Sequence, residues 1–209
     1  MVNKRAVRRD TQGAVFRAAA QEFAERGFDA ARVDRIAVRA RVNKAMLYYH
    51  YGSKQSLYDA VLRDTFSALG TRARAIADGP GPADGKLDAW IATIVEEAAA
   101  RPWFPPIMLR ELASGARHVD PATFGLMNAV YLAVRDVIVQ GQQEGAFRAA
   151  DPLLTHLTIL PAILIFFARQ AVLAQRKGPR GLAAAEPRRM DEFVSHMQAS
   201  ARGMLRQNT

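Results

Sequence analysis

The sequence predicts an all-α fold. Apolar residues recur at spacings of three and four along most of the 209 residues, and no stretch shows the period of two that a half-buried strand requires. The interruptions are helix punctuation: Gly after an apolar stripe, and Asp-Pro, Asn or Ser before one. No segment repeats at a period of 20–50 residues. Half of the residues are apolar, which is enough for a real core.

The elements follow in chain order. Asp10 or Thr11 is the expected N-cap of a first helix, with Val15, Phe16, Ala19, Ala20 and Phe23 as its apolar face. Gly27 closes it as the residue after the C-cap. A second helix covers 33–40, with Val33, Ile36, Ala37 and Ala40 on one face and Asp34, Arg35 and Arg39 on the other. After a tight turn at 40–42, Asn43 caps a short third helix that ends near Tyr49. Ser53 caps a long fourth helix to about Ala77, carried by Leu57, Tyr58, Val61, Leu62, Thr65, Phe66 and Leu69. DGPGPADG at 78–85 is a loop by composition. Helices are expected over 86–100 and 106–114, separated by Pro102, Pro105 and Pro106. Asp120-Pro121 opens a helix that Gly145 closes, and Asp151-Pro152 opens another to about Arg176. KGPRG at 177–181 is a loop, and a last helix covers about 187–205. The division this suggests is 1–52, a connecting helix 53–77, and 78–209.

Charge is unevenly spread. Residues 1–58 hold 12 Lys/Arg against 5 Asp/Glu, a net of +7, while the whole chain is only +9. A basic excess confined to one quarter points to a polyanion partner for that quarter. There is no cysteine, so disulfides and thiolate metal sites are excluded. Together with a basic start that lacks the apolar run of a signal peptide, this fits a cytoplasmic chain. The most apolar run, 157–168, has about 12 residues against the roughly 20 of a membrane span, and is expected to be a buried helix. The four histidines show no metal-ligand spacing, no G-x-S-x-G is present, and the glycine loop at 79–85 carries prolines where a phosphate cradle needs free N–H groups. An enzyme is therefore not expected, nor a metal or other cofactor. His118 and Asp120 are expected to act in capping.

The segment 43–51, NKAMLYYHY, joins three tyrosines, a histidine and a lysine to Leu and Met. Two helices joined by a three-residue turn, after a supporting helix, make a helix-turn-helix, whose second helix can enter the DNA major groove. Val42 and Leu47 would pack on Ile36 and Phe23. That leaves Asn43, Lys44, Ala45, Met46, Tyr48, Tyr49 and His50 for a partner. Small Ala45 permits close approach to bases, Met46 and the rings suit thymine methyls, and polar tips reach phosphates and base edges. Lys54 opens the next helix, where free N–H groups already favour a phosphate. Tyr48 and Tyr51 could instead be partly core, the more so Tyr51, and Arg35 and Arg39 a solvated face.

Residues 11–62 resemble the N-terminal domain of the TetR/AcrR family of transcriptional repressors. The matching positions are Ala19, Ala20, Phe23, Gly27 and Phe28; Val33, Ile36 and Ala37; and Leu47, Tyr48, Tyr49, His50, Tyr51, Ser53, Lys54 and Leu57. The resemblance implies an N-terminal three-helix helix-turn-helix DNA-binding domain and a C-terminal helical ligand-binding and dimerisation domain. By it, Lys44, Ala45, Met46 and Tyr49 read bases, and Arg32, Tyr48, His50 and Lys54 hold phosphates. Five positions depart from the family pattern. Arg41 stands where glycine is usual, Arg32 replaces a hydroxyl residue, and Asn43 replaces a serine cap. Ala45 and Met46 replace the commoner Gly and Thr, which bears on which operator is read.

The helix from Pro152 is apolar nearly all round and needs covering on both sides. With the amphipathic 187–205 helix it suggests a two-fold homodimer through Ile163, Phe167, Phe193 and Met197, as the resemblance also implies. A dimer would present two recognition helices to a palindromic operator. The resemblance further implies a small apolar or aromatic effector. Trp103, Phe104, Met108, Phe124, Met127, Tyr131 and Phe166 are the candidate pocket, with Arg110, Glu111, His118 and His156 as its polar groups. The alternative is a sequence-neutral or activating DNA-binding protein without an effector.

Overall fold

The computed structural model describes the backbone of residues 4–175 and 189–206, and the side chains of 11–170 and 189–206. Among these residues the chain forms nine α-helices: α1 (Lys4–Ala30), α2 (Val33–Ala40), α3 (Lys44–Tyr51), α4 (Lys54–Asp78), α5 (Ala83–Ala100), α6 (Phe104–Ala113), α7 (Pro121–Gln143), α8 (Pro152–Gln175) and α9 (Met190–Leu205). The expected all-α class holds. The loop expected at 177–181 lies outside the described residues.

Most helix ends obey the punctuation. Gly27 breaks α1 at φ 72°, leaving one further turn to Ala30. Asn43 Oδ1 accepts from Met46 N–H at 2.8 Å, and Ser53 Oγ accepts from Ser56 N–H at 3.0 Å. Asp120 Oδ1 takes the N–H groups of Ala122 and Thr123 at the start of α7, and Asp151 Oδ1 those of Leu153 and Leu154 at the start of α8. One expected cap is not used: α1 begins at Lys4, which puts Asp10 and Thr11 inside the helix.

The chain divides into two compact units. The first holds residues 1–65 and 103–124, the second 66–102 and 125–209. The division expected at residue 78 therefore does not mark the units: α6 and the connection after it belong with the N-terminal helices, and α4 runs from one unit into the next.

In the first unit α1 packs on α2, α3 and α6. Its core is Val15, Ala19, Phe23, Ile36, Leu47, Leu57, Val61 and Leu62, all essentially without solvent exposure. Phe23 meets Tyr58 edge-on at 4.8 Å between ring centroids. In the second unit α5 is the central helix. Leu87, Trp90, Ile91, Ile94 and Val95 are wholly buried, and α8 and α9 pack on it. Its buried Lys86 is satisfied by the Ala77 carbonyl at 3.0 Å and Gln140 Oε1 at 2.8 Å. The helix expected to need covering all round, α8, buries Ile159, Ile163 and Leu164 but leaves Leu153, Leu154, Leu157 and Ile165 exposed.

By length and composition alone, α7 and the Pro152–Gln170 part of α8 are long and apolar enough to cross a membrane, longer than the short run read from the sequence. Both nevertheless contribute to a packed core. On α7 that face is Val130, Ala133, Val134, Val137 and Ile138.

Candidate DNA-binding surface

The turn between α2 and α3 sets the surface. Arg41 sits in the left-handed region at φ 57°, ψ 41°, and the next residue's N–H returns to the Ala37 carbonyl at 3.0 Å. That closes the end of α2 in the manner glycine usually serves; a non-glycine residue there costs about 1–2 kcal/mol. Asn43 then starts α3, and Leu47 anchors it with no exposed surface. Burying Leu47 turns its neighbours outward: Tyr48 is 43% exposed and Tyr49 64%. Asn43, Lys44 and Ala45 are exposed beside them, and Met46 and His50 half-buried. The predicted base-reading residues thus share one solvent-facing helix.

Lys44 is steered from α2: its ammonium lies 2.9 Å from Asp34 Oδ1, and that contact raises its pKa. Arg32 is the exposed N-cap residue of α2. Lys54 opens α4, donates to the Asp29 carbonyl at 3.2 Å and lies 4.6 Å from the centroid of the Phe28 ring. Partial burial lowers its pKa. Tyr51 hydrogen-bonds the Gln12 carbonyl at 3.3 Å and is half-buried, so it ties α3 to α1. His50 keeps its Nε2 buried and without a hydrogen-bond partner.

Two polar assemblies in this unit escaped the sequence reading. Glu22, on α1, is fully buried, with Arg35 at 3.2 Å, Arg26 at 3.5 Å and Arg39 at 4.0 Å around its carboxylate. Arg39 also pairs with Glu25 at 2.8 Å. Arg35 and Arg39 are therefore not a merely solvated face; they line a cleft of about 600 Å³ with Arg32, Asp34 and Val38. The second assembly joins Asp29, His118, Glu111 and Tyr58, whose sequence separations of 53 and 89 residues left no local signal. Asp120 caps as expected. His118 does not; it bridges two carboxylates.

The candidate pocket residues are not brought together in one unit. Trp103, Phe104, Met108 and Phe124 belong to the first. There Phe104 and Met108 are core, Trp103 meets Phe16 edge-on at 6.5 Å, and Phe124 is exposed. Met127, Tyr131 and Phe166 belong to the second. Clefts of about 320 and 310 Å³ open on that unit, and none of the three lines either. Phe166 instead stacks on Phe193 at 3.7 Å. Tyr131 packs against His156, as does Trp90. His156 is buried with Nδ1 unpartnered, and burial pushes its pKa down to about 4. Of the expected dimer residues, Ile163 and Met197 are buried within the unit and offer a partner almost no surface, while Phe167 and Phe193 are half-buried.

An exposed aromatic recognition helix, capped, anchored on a three-helix core and set in a basic unit, defines a helix-turn-helix DNA-binding regulator. Residues 15–61 match the family described as bacterial regulatory proteins, tetR family, and residues 84–197 match the tetracyclin repressor-like C-terminal domain. The chain belongs to the tetR family. It is similar to the HTH-type transcriptional repressor NicS of Pseudomonas putida, 26% identical over 75% of this chain and 74% of NicS. It is also similar to the HTH-type transcriptional repressor SCO4008 of Streptomyces coelicolor, 38% identical over 44% of each chain. Its fold is that of the ketosteroid transcriptional regulator KstR2 of Mycobacterium tuberculosis, with a TM-score of 0.73 at 23% identity over 100% of this chain and 98% of that one. The chain is a ligand-responsive, DNA-binding transcriptional repressor.

Proposed function

We propose that the chain binds a palindromic double-stranded DNA operator as a homodimer in the cytoplasm and is released by a small apolar or aromatic effector, without catalysis and without a cofactor. The observation that carries this reading is α3. Eight residues long, it spends one leucine on the core and turns two tyrosines, a lysine and a small alanine outward. Lys44, Ala45, Met46 and Tyr49 read bases; Arg32, Tyr48, His50 and Lys54 hold phosphates, and Asn43 fixes the helix start between them. The effector acts through α4, one continuous helix from Lys54 to Asp78, whose first residue is a phosphate contact. An effector that weakens operator binding tenfold prefers the unbound state by about 1.4 kcal/mol.

The test is a footprint on the DNA upstream of the chain's own gene at two salt concentrations. A protected near-palindrome that survives competitor DNA supports the reading. Arg32 and Lys54, counted in both protomers, would give a slope of log affinity against log salt of about −4. Weak, uniform protection that disappears with salt would replace the reading with sequence-neutral phosphate binding.

A further inference from the structure

A run of hydrogen bonds crosses the first unit behind the operator-facing helices. Tyr58 on α4 donates its hydroxyl to Glu111 Oε1 on α6 at 2.6 Å. His118, in the connection between α6 and α7, places Nδ1 3.1 Å from that same oxygen and Nε2 3.1 Å from Asp29 Oδ1 at the end of α1. Glu111 is buried, and its other oxygen has no partner. The Asp29 carbonyl accepts from Lys54. The imidazole packs on Phe28 at 4.6 Å between centroids, and Phe28 in turn lies under the Lys54 ammonium. Phe28 and Asp29 therefore touch His118 on one side and Lys54 on the other.

Counting protons shows what the bridge can do. An ionised carboxylate only accepts, and a neutral imidazole has a single N–H. A neutral His118 can satisfy Glu111 or Asp29, and leaves the other facing a lone pair across 3.1 Å. Both contacts hold only when the assembly carries one more proton, on the ring or on one of the carboxylates. The charged and titratable groups facing the ring are Asp29 from α1, Glu111 from α6, Tyr58 and Lys54 from α4, and Arg117 beside it, which pairs with Asp29. Arg26 and Arg110 line the same cleft. Gln55 of α4 donates to the His118 carbonyl at 2.9 Å, which anchors the backbone that carries the ring.

We propose that His118 is a proton-dependent latch that positions Lys54 through Phe28 and Asp29 and so tunes operator affinity with pH. This rests on the reading of Lys54 as a phosphate contact. The closed latch holds one proton more than the open one, so lowering the pH favours closure and raising it opposes closure. If operator binding needs the closed latch, affinity falls as pH rises. One linked proton sets a ceiling of about tenfold per pH unit.

The experiment is an anisotropy titration of the full chain against a duplex that it selects from a randomised pool. It runs at fixed salt between about pH 6 and 8, the range in which histidine charge typically changes. Wild type is expected to weaken about five- to tenfold across that range, and His118→Gln to give a flat profile. His50 is present in both proteins, so its contribution cancels in the difference. Parallel profiles, or a flat wild type, overturn the latch. Circular dichroism checks folding; if His118→Gln does not fold, Glu111→Gln replaces it, because an amide can meet either face of a neutral ring and should also flatten the profile. Lys54→Gln separates the latch from the reading beneath it. Weak binding by Lys54→Gln beside parallel His118 profiles leaves the phosphate contact standing without the latch. Wild-type binding by Lys54→Gln removes the phosphate contact and, with it, positioning through Lys54.

Discussion

At the scale of single residues, burial decides what a polar group can do. His156 lies among Trp90 and Tyr131, with Nδ1 unpartnered, and its pKa falls from the ordinary 6.5 to about 4. The folded chain thus keeps it neutral where the unfolded chain would take a proton. The stability at stake is fully present above about pH 6.5 and is lost as pH falls towards 4, by about 3 kcal/mol. Urea unfolding of wild type and His156→Gln at pH 7 and pH 4 measures this: the wild-type midpoint should fall further than that of the variant. Asn43 makes a smaller contribution through a single bond, from Met46 N–H at 2.8 Å. Asn43→Ala should cost about 1 kcal/mol, lowering the thermal midpoint by about 2–4 °C. Arg41 shows the opposite balance, a side chain kept at a left-handed position that glycine would occupy without strain.

At the scale of elements, two close contacts fix the second unit's shape. Gly141 on α7 is buried against Phe147. A Cβ at 141 would stand 2.1 Å from the ring, and the Phe147 N–H is bonded to the Gly141 carbonyl at 2.9 Å, which holds the Phe147 backbone close to Gly141. Gly141→Ala should destabilise by about 1–3 kcal/mol, and by much less when Phe147 is also alanine; a double-mutant cycle in urea reads the coupling. Farther on, Arg148 holds the end of α9 through the Met204 and Leu205 carbonyls, at 2.7 and 2.8 Å. How much of this was legible varies with range. Caps at Asn43, Ser53, Asp120 and Asp151 were readable because a cap is a local bond between a side chain and an N–H two or three residues on. The start of α1 was misread for the same local reason, since Asp10 can cap a helix but does not have to. The exposed face of α3 was readable because Leu47 is one apolar residue among polar-tipped rings. Glu22 among its arginines, and His118 between Asp29 and Glu111, depend on chain segments meeting from far apart. So does the return of α6 to the first unit, which assigns four of the seven expected pocket residues to that unit and three to the other. A list of aromatic residues carries no information about which unit each one joins.

At the scale of the whole molecule the open question is what covers α8. Its exposed aliphatics do not include the expected Ile163, which the core has consumed; beside Leu153 they form a stripe of Leu154, Leu157 and Ile165, spaced three and eight apart and 64%, 54% and 57% exposed. Along a helix that spacing returns to nearly one face, and three large aliphatics on one face are the pattern a two-fold partner would cover with its own copy. A charge in such a face would be buried twice, once from each protomer, at a cost no compensating partner relieves. Leu157→Asp should therefore shift the chain to monomer in sedimentation equilibrium while leaving its helical circular dichroism unchanged, because the side chain is exposed in the single chain. Operator binding should suffer more than the half-site contacts themselves would suggest. Two linked recognition helices gain about 10²–10⁴ in avidity over either alone, and a monomer loses that factor without losing any contact made by α3. A variant that stays dimeric would move the interface off this stripe. One that becomes monomeric yet binds the operator at full strength would separate dimerisation from DNA recognition altogether.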